Sequence, residues 1–163
     1  QQYTALAAGG AHACAIVDDA VRCWGAGQFG QLGHGRFAHA ASPVAVSPPT
    51  TDPARHLCAG DAHTCAIYGS SVWCWGVATL DRLGVRLTAT EQPTPVQVPP
   101  FPSPPRALAC GNQHTCALLD DGAVHCWGAG NLGQLGAALP LGMTTRAAAR
   151  RDLTRAPRGE RHG

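Results

Sequence analysis

Short apolar segments separated by turn residues run through the chain. Only the Ala/Arg run 146–151 has a helical period, and it is too short to predict a helix. Two segments, CALL and AVHCW, flank Asp120-Asp121-Gly122, a three-residue loop with glycine where a left-handed residue is needed. Gly69-Ser70 and Asp18-Asp19 connect two similar pairs of segments and have the length of two-residue hairpin turns. The pattern therefore predicts an all-β chain built on β-hairpins.

Further strands are expected on both sides of each hairpin. Inner strands are predicted at Leu6–Ala8, Leu57–Ala59 and Leu108–Cys110. The Pro-rich spacers after the first two hairpins contain PVAV (43–46) and PVQV (95–98), which are typical of edge strands, where proline is tolerated. Each unit then consists of four short antiparallel strands.

The hairpins belong to three copies of one sequence unit. The copies contain AGGAHACAIV, AGDAHTCAIY and CGNQHTCALL, each followed by CWG and then by QLG or RLG. His12, His63 and His114 recur every 51 residues, a period in the range of propeller blades. The predicted boundaries are repeats at 3–54, 55–105 and 106–145, the last with an incomplete outer strand, and a disordered Arg-rich tail at 146–163 that does not pack as a blade.

The spacing of the cysteines predicts disulfides within the hairpins. Residues that oppose each other across a hairpin have numbers with a constant sum, and in every copy two cysteines meet that condition at a non-hydrogen-bonded position. Side chains there approach closely enough for a disulfide. The predicted bridges are Cys14–Cys23, Cys65–Cys74 and Cys116–Cys126. Zinc is the competing interpretation, but Cys-x8-Cys and Cys-x9-Cys are unlike the short spacings of structural zinc sites, so no metal is predicted.

Two cysteines, Cys58 and Cys110, remain after the hairpins are paired. Cys58 aligns with Ala7 of the first copy, whereas Cys110 aligns with Ala8. Because side chains alternate between the faces of a strand, this offset of one residue directs the two thiols to opposite faces. In adjacent blades they then either face each other across the interface, as an inter-blade bridge, or point away from each other as buried thiols.

Charge and hydropathy narrow the function classes. Every basic residue is Arg; residues 1–145 carry six Arg against eight Asp and Glu, whereas 146–163 carries six against two. Residues 1–145 therefore have a net charge of −2 (six minus eight) and lack the excess of positive charge that binds nucleic acid. No apolar run approaches the ~18–20 residues of a membrane span. Paired cysteines indicate an oxidising compartment, which predicts a secreted, periplasmic or cell-surface protein.

The segments AAGGAHACAI, CAGDAHTCAI and ACGNQHTCAL, each followed by a hairpin, CWG and a closing QLG or RLG, resemble repeats of the regulator of chromosome condensation family. The cysteine-paired form is similar to the secreted bacterial branch of that family. The resemblance covers about residues 3–145 and implies a β-propeller, normally of about seven blades with four strands each. The stretch 77–82 replaces the loop sequence of the other copies, which leaves the geometry of this loop open.

Three blades cannot close a ring, because propellers need about four to eight. An incomplete propeller or arc is therefore expected. It is a fragment of a longer protein, which is the favoured interpretation, an arc completed by self-association through its open blade faces, or an arc with exposed ends.

The side chains that recur in each copy have a structural and a functional interpretation. The three repeated histidines could form a ring of ligands, or each could hydrogen-bond backbone groups beside its hairpin. The second role is predicted because they recur without variation. The repeated tryptophans lie on the strand face opposite the cysteines and are expected to pack between blades. These tryptophans are Trp24, Trp75 and Trp127.

One equivalent position differs between the copies and is occupied by Arg22, Trp73 and His125. A variable position on a constant frame is a candidate binding site, whereas on a buried face between blades it would serve packing; both interpretations stay open. The segment 99–105, PPFPSPP, suits a polyproline ligand or a linker between blades, and the linker is favoured.

These observations predict a non-catalytic, extracellular protein-binding scaffold without cofactor, whose partner is an unidentified protein or cell surface. No Ser/His/Asp order, useful pair of carboxylates or phosphate-binding glycine loop stands out. The family resemblance implies two alternatives. One is a secreted enzyme inhibitor, since a bacterial β-lactamase inhibitor shares this fold family, and the other is guanine-nucleotide exchange on a small GTPase, as in eukaryotic members. The paired cysteines argue against the reducing nuclear environment of the second.

Overall fold

The computed structural model describes residues 1–47, 50–136 and 147–149, which form three four-stranded antiparallel sheets. The first sheet consists of β1 (Tyr3–Ala8), β2 (His12–Val17), β3 (Ala20–Gly25) and β4 (Ala40–Ala45). The second consists of β5 (Ala54–Ala59), β6 (His63–Tyr68), β7 (Ser71–Val77) and β8 (Glu91–Gln97). The third consists of β9 (Pro105–Cys110), β10 (His114–Leu119), β11 (Val124–Gly128) and β12 (Ala147–Ala149). Strands lie side by side in chain order, which confirms the predicted all-β chain of four-stranded blades.

The hydrophobic core lies between the sheets, here called blades one, two and three, rather than inside any of them. Ile16 and Val21 of blade one pack with Trp75 of blade two. Ile67 of blade two packs in the same way with Trp127 of blade three. The inner strand β5 adjoins both β1 and β9. Each blade therefore presents its cysteine face to the next blade and its tryptophan face to the preceding one, as the strand alternation predicts.

The hairpins have the predicted register. Asp18 and Asp19 both adopt left-handed backbone angles, with φ of 47° and 64°, and Gly122 has a φ of 83° in the three-residue loop. These angles match the right-handed twist of the flanking strands. In each blade two cysteines are directly opposite each other: Cys14 and Cys23, Cys65 and Cys74, Cys116 and Cys126.

All eight cysteines lie in disulfides. The S–S distances within the hairpins are 2.13 Å for Cys14–Cys23, 2.15 Å for Cys65–Cys74 and 2.10 Å for Cys116–Cys126. Cys58 and Cys110 are joined at 2.00 Å across blades two and three. Cys58 opposes Cys65, whereas Cys110 opposes Thr115, the residue before the hairpin cysteine Cys116. The offset of one residue thus turns the two inner-strand sulfurs toward each other.

The prediction of an unpacked tail is wrong for Ala147–Ala149, which form β12 and complete the outer edge of blade three. Val124 pairs with Ala149 and Cys126 with Ala147. Strand addition depends on main-chain N–H and C=O groups that every non-proline residue carries, so the unpaired edge of β11 accepts a segment without a strand-like sequence. The outer strand of blade three, predicted to be incomplete within 106–145, is supplied from beyond residue 145. The rest of the tail lies outside the described residues.

A repeated set of buried hydrogen bonds, here called the clasp, connects neighbouring blades. The backbone carbonyl of Gln31 in blade one accepts from the Trp75 indole Nε1 and from the Thr64 hydroxyl, both at 2.9 Å. The same hydroxyl contacts His12 Nε2 at 2.8 Å. Between blades two and three the clasp recurs with the Arg82 carbonyl, Trp127 Nε1 (3.0 Å), Thr115 Oγ1 (3.5 Å) and His63 Nε2, which lies 2.9 Å from Thr115 Oγ1.

The clasp determines the protonation of its histidines. Because each threonine hydroxyl donates its proton to a carbonyl, it accepts from the imidazole, which must carry hydrogen on Nε2. Nδ1 of His12 and of His63 is buried and has no hydrogen-bond partner. Burial lowers the pKa of His12 to about 4, partly opposed by Asp61, and lowers that of His63 to about 3, with a further contribution from Arg82. His12 and His63 are therefore neutral structural groups.

Because the clasp holds its histidines neutral, the free energy of unfolding should fall as the pH drops from 7 to 5. Unfolded histidines have a pKa near 6.5 and bind protons in this range, whereas folded His12 and His63, with pKa values of about 4 and 3, do not. The expected loss is roughly 2 kcal/mol for each histidine, measured by urea unfolding at several pH values. His63→Gln should flatten the dependence by about half; an unchanged slope would contradict the assignment.

Removal of the inter-blade bridge should cost more stability than removal of a hairpin bridge. In the chain-entropy model the 52-residue separation of Cys58 and Cys110 corresponds to about 4 kcal/mol, and the 9-residue separation of Cys14 and Cys23 to about 2.5 kcal/mol. Non-reducing urea unfolding of the paired Cys→Ala variants measures both losses. Two free thiols in the denatured, unreduced wild type would disprove the inter-blade bridge.

Candidate functional site

One end of the blades carries the long loops and is here called the loop face. Strands alternate in direction, so the β1–β2 and β3–β4 loops of a blade emerge at the same end. The β3–β4 loop spans 26–39 in blade one and 78–90 in blade two, and residues 129–136 follow β11 in blade three. Exposed loops on a rigid frame are where binding residues concentrate.

In blade one, consecutive tight turns shape the β3–β4 loop. The amide of Gly30 donates to the carbonyl of Gly27 at 3.0 Å, and the side-chain oxygen of Gln31 accepts from the amide of Phe29 at 2.9 Å. Gln31 is buried, so this bond holds the loop from the inside. Leu32 points into the core, whereas the Phe29 side chain is directed outward and is 39% exposed.

The loop of blade three repeats this construction. The amide of Leu132 donates to the side-chain oxygen of Gln134 at 2.8 Å, and the amide of Gly133 donates to the carbonyl of Gly130 at 3.2 Å. Leu135 is buried, and Leu132 is 85% exposed. The matching bonds show that the loop reaches the same conformation in both blades.

Blade two builds the loop differently, which settles the geometry that the sequence of 77–82 left open. A 3-10 turn covers Thr79–Asp81, and Leu80 has a left-handed φ of 62°. Arg82 is buried, and its guanidinium donates to the carbonyl of Thr79 at 3.0 Å and to the Thr79 hydroxyl at 3.1 Å. Burial lowers the pKa of Arg82, with Asp61 opposing this effect. Leu80 is nevertheless exposed, at 45%.

Phe29, Leu80 and Leu132 therefore form a recurrent feature, here called the apolar ridge, with one exposed apolar side chain per blade at the same loop position. Sequence reasoning missed it. The signal was a large apolar residue three positions before the leucine of QLG or RLG, inside a loop that is otherwise rich in glycine and polar residues. Only the structure shows that the second apolar residue of this spacing is buried and the first is not.

The three candidate binding residues, Arg22, Trp73 and His125, have different surroundings in the structure. Trp73 packs against the core between blades one and two. His125 contacts Phe101 edge-on, with ring centroids 5.5 Å apart, beside Trp127. Trp73 and His125 therefore have packing contacts between blades. The segment around Phe101 is a linker that packs against blade three. Arg22 instead lines an open groove.

That groove lies between blades one and two, at the end opposite the loop face, and has a volume of about 660 Å³. Its lining includes Asp18, Asp19, Asp52, Arg22 and Tyr68. Tyr68 is a buried wall residue, and burial raises the pKa of its hydroxyl. The three carboxylates outnumber the one guanidinium of this lining, so the groove carries an excess of negative charge that the ridge lacks.

Metal ligation has little support in the described part of the chain. One group of three potential ligands lies within 4.8 Å, formed by the sulfurs of Cys58, Cys65 and Cys110. Each sulfur belongs to a disulfide and offers no thiolate. Across the described residues, no helix has the length and apolar character needed to cross a membrane.

Comparison with known proteins gives relatives of wide taxonomic range. The chain is 34% identical to the human E3 ubiquitin-protein ligase HERC2 over 137 residues, which cover 81% of this chain and 3% of HERC2. It is 32% identical to the ultraviolet-B receptor UVR8 of Arabidopsis thaliana over 135 residues, 80% of this chain and 30% of the receptor. The chain thus spans less than a third of the length of either relative.

Solved structures give the same fold at lower identity. Yeast RCC1 (Prp20), in its complex with Kap60, matches with a TM-score of 0.83 and 20% identity over 93% of this chain and 38% of that chain. Human WBSCR16 matches with a TM-score of 0.82 and 20% identity over 91% of this chain and 40% of that chain. At this identity the likeness shows the propeller fold.

Two family models, both described as the regulator of chromosome condensation (RCC1) repeat, match the chain. One matches residues 18–67 and 70–118, more than half of the chain, and the other matches 3–31 and 106–134. The matched segments include the hairpins, the cysteine pairs and the loop-face turns described above. Sequence, sheet topology and structural likeness agree, and the chain belongs to the RCC1 repeat family.

Proposed function

We propose that this chain is a non-catalytic, extracellular scaffold that binds a protein partner through the apolar ridge. The observation that carries the proposal is the recurrence of an exposed apolar side chain at one loop position in all three blades. Blade two keeps this side chain outward although it builds the loop with a different turn and a different anchoring side chain. Binding residues concentrate on exposed loops that a rigid frame positions, and all three side chains lie on such loops at one end of the blades.

The frame below the ridge supports this role because it holds the loops in place before binding. Each loop is anchored by a buried leucine and, in blades one and two, by the carbonyl of the clasp. Hairpin disulfides hold the strands from which the loops emerge. A preorganised surface loses little conformational entropy on binding. The complementary partner has apolar pockets spaced to receive successive ridge side chains.

The cysteines support an extracellular location. Four pairs lie at bonding distance, one of them between blades, and such a density is typical of proteins from oxidising compartments. Disulfides form and persist in oxidising compartments, so a scaffold held by four of them suits a secreted, periplasmic or cell-surface setting.

A non-catalytic role is supported by the state of the reactive groups. The histidines of the clasp are neutral and are used to connect blades, and the cysteines are engaged in disulfides. The structure of Prp20 has been described together with its binding to Gsp1p and histones, so a relative of the same fold binds protein partners. By analogy, the loop face is the surface offered here.

Replacement of the ridge should abolish partner binding without loss of the fold. Leu132 is 85% exposed but Phe29 only 39%, so Phe29→Ser combined with Leu132→Ser should lower the free energy of unfolding by about 2 kcal/mol and leave the protein folded. Affinity for a partner isolated by cross-linking from the extracellular fraction of the source organism should fall at least about tenfold. Surface plasmon resonance measures this change.

Tyr3→Ser is the matched control, because Tyr3 is also an exposed aromatic side chain but lies on β1, away from the loop face. This variant should bind the partner as the wild type does. Equal affinity of the ridge variant and the wild type would refute the ridge as the binding surface, and equal loss in both variants would indicate a different surface.

The chain should not accelerate nucleotide release from small GTPases. It spans 39% of the Prp20 chain whose binding to Gsp1p is described, and at 20% identity only the fold is shared. Release of a fluorescent guanine nucleotide from a panel of GTPases should proceed at the intrinsic rate with and without reductant, with chelation of Mg²⁺ as the positive control. Stimulated release would establish an exchange activity and overturn the non-catalytic proposal.

A further inference from the structure

The groove between blades one and two, at the end opposite the loop face, combines apolar walls with a negatively charged rim. Val21 and Val46 of blade one pack with the ring of Tyr68 of blade two and form the apolar part. The rim consists of three exposed aspartates, Asp18, Asp19 and Asp52. The groove is therefore formed by an internal interface between two blades and not by an outer face of the first or the third blade.

In the described part of the chain the three rim carboxylates have no cationic partner. None of them lies within 4.0 Å of a basic side chain, and this includes Arg22, which also lines the groove. Nor do they converge on one point, because the group of potential metal-ligating atoms found within 4.8 Å among the described residues consists of cysteine sulfurs. The rim therefore suits an organic cation with several N–H donors rather than a metal ion.

Tyr68 adds a polar group that is independent of the rim. The residue is only 3% exposed, and blades one and three have Val17 and Leu119 at the equivalent register position. Its hydroxyl forms no hydrogen bond with a described residue, yet it is not one of the fully buried polar atoms that lack a partner, so it is accessible from the groove. A phenolic oxygen in this position suits a ligand that supplies an N–H donor.

The corresponding place between blades two and three is occupied by a side chain of the protein itself. The two places are equivalent because the amide of Val98 donates to the carbonyl of Val72 there. Val46 and Val21 form the same bond in the first groove. Phe101 of the second linker packs against Val72 and Val98, beside a cavity of about 220 Å³. The first groove measures about 660 Å³, and the described linker residues that line it carry no aromatic ring.

We propose that the groove between blades one and two binds an arginine side chain of a partner polypeptide. The guanidinium donates to the rim carboxylates and to the hydroxyl of Tyr68, and the aliphatic stem contacts the apolar walls. Arginine fits because its planar group presents several N–H donors in a fixed fork and is more weakly hydrated than an ammonium, so it can bond to acceptors that do not converge. A volume of about 660 Å³ also accommodates backbone on either side of the arginine.

NMR titration of the isotope-labelled full chain with a capped glycine–arginine–glycine peptide tests the proposal. Saturable shifts are expected with a Kd of about 1 mM at low ionic strength. The largest should occur at the amides of Asp19, Asp52 and Gly69, which line or adjoin the groove. The same peptide with lysine keeps the charge without the fork and should bind about threefold more weakly. With citrulline it keeps the shape without the charge and should bind at least about tenfold more weakly.

Two variants of the groove locate the binding. Asp19→Asn combined with Asp52→Asn removes two rim charges and should weaken arginine-peptide binding at least about tenfold. The fold should persist, because asparagine also adopts the left-handed backbone angles of Asp19. Tyr68→Phe removes only the hydroxyl and should weaken binding about threefold without lowering the free energy of unfolding. Asp120→Asn is the matched control, since Asp120 is an exposed aspartate of the blade-three hairpin loop, outside the groove, and this variant should bind as the wild type does.

The absence of saturable shifts up to about 10 mM arginine peptide would overturn the proposal. Equal affinity of the arginine and citrulline peptides, unchanged affinity in both groove variants, or shifts centred on the loop face would also overturn it. Equal affinity of the lysine peptide would overturn the assignment to a guanidinium. The ridge variant, Phe29→Ser combined with Leu132→Ser, should bind the arginine peptide as the wild type does, so failure of this site and failure of the ridge are distinguishable.

Discussion

The backbone carbonyl at Gln31 and at Arg82 organises the contact between neighbouring blades. Buried between two sheets, such an oxygen costs about 1–3 kcal/mol if it accepts no hydrogen bond. The next blade supplies an indole N–H and a threonine hydroxyl to the same atom. The indole is also the largest apolar group in the interface. The carbonyl that binds its N–H therefore fixes both the hydrogen bonds between the two blades and the place where their hydrophobic side chains pack.

This constraint acts on the main chain, which leaves the side chain at the same position free to vary. Gln31 uses its side chain to hold the amide of Phe29, whereas Arg82 holds Thr79, and both still present the carbonyl to the next tryptophan. The buried leucine that follows fixes the end of the loop, so the apolar residue before it is left on the surface. In blades one and two, the ridge residue is therefore held by the same bonds that join the blades.

Only one of the two interfaces between blades is crosslinked by a disulfide. Hairpin bridges act inside each blade, but Cys58–Cys110 spans blades two and three only. Between blades one and two, Ala7 occupies the position of Cys58, and the clasp and the apolar cluster hold the contact without a covalent link.

Local periodicity was enough to predict the hairpins, their cysteine pairs and the four-stranded repeat, because strand alternation and turn length depend on neighbours within about ten residues. Three further features needed the tertiary structure. The offset between Cys58 and Cys110 indicated opposite faces, but whether those faces meet depends on how two blades pack. The pairing of Ala147–Ala149 with β11 uses main-chain groups that leave no sequence pattern. Phe29 and Leu32 are both apolar and only three residues apart, and which of them is buried is decided by the carbonyl between them and the tryptophan of the next blade.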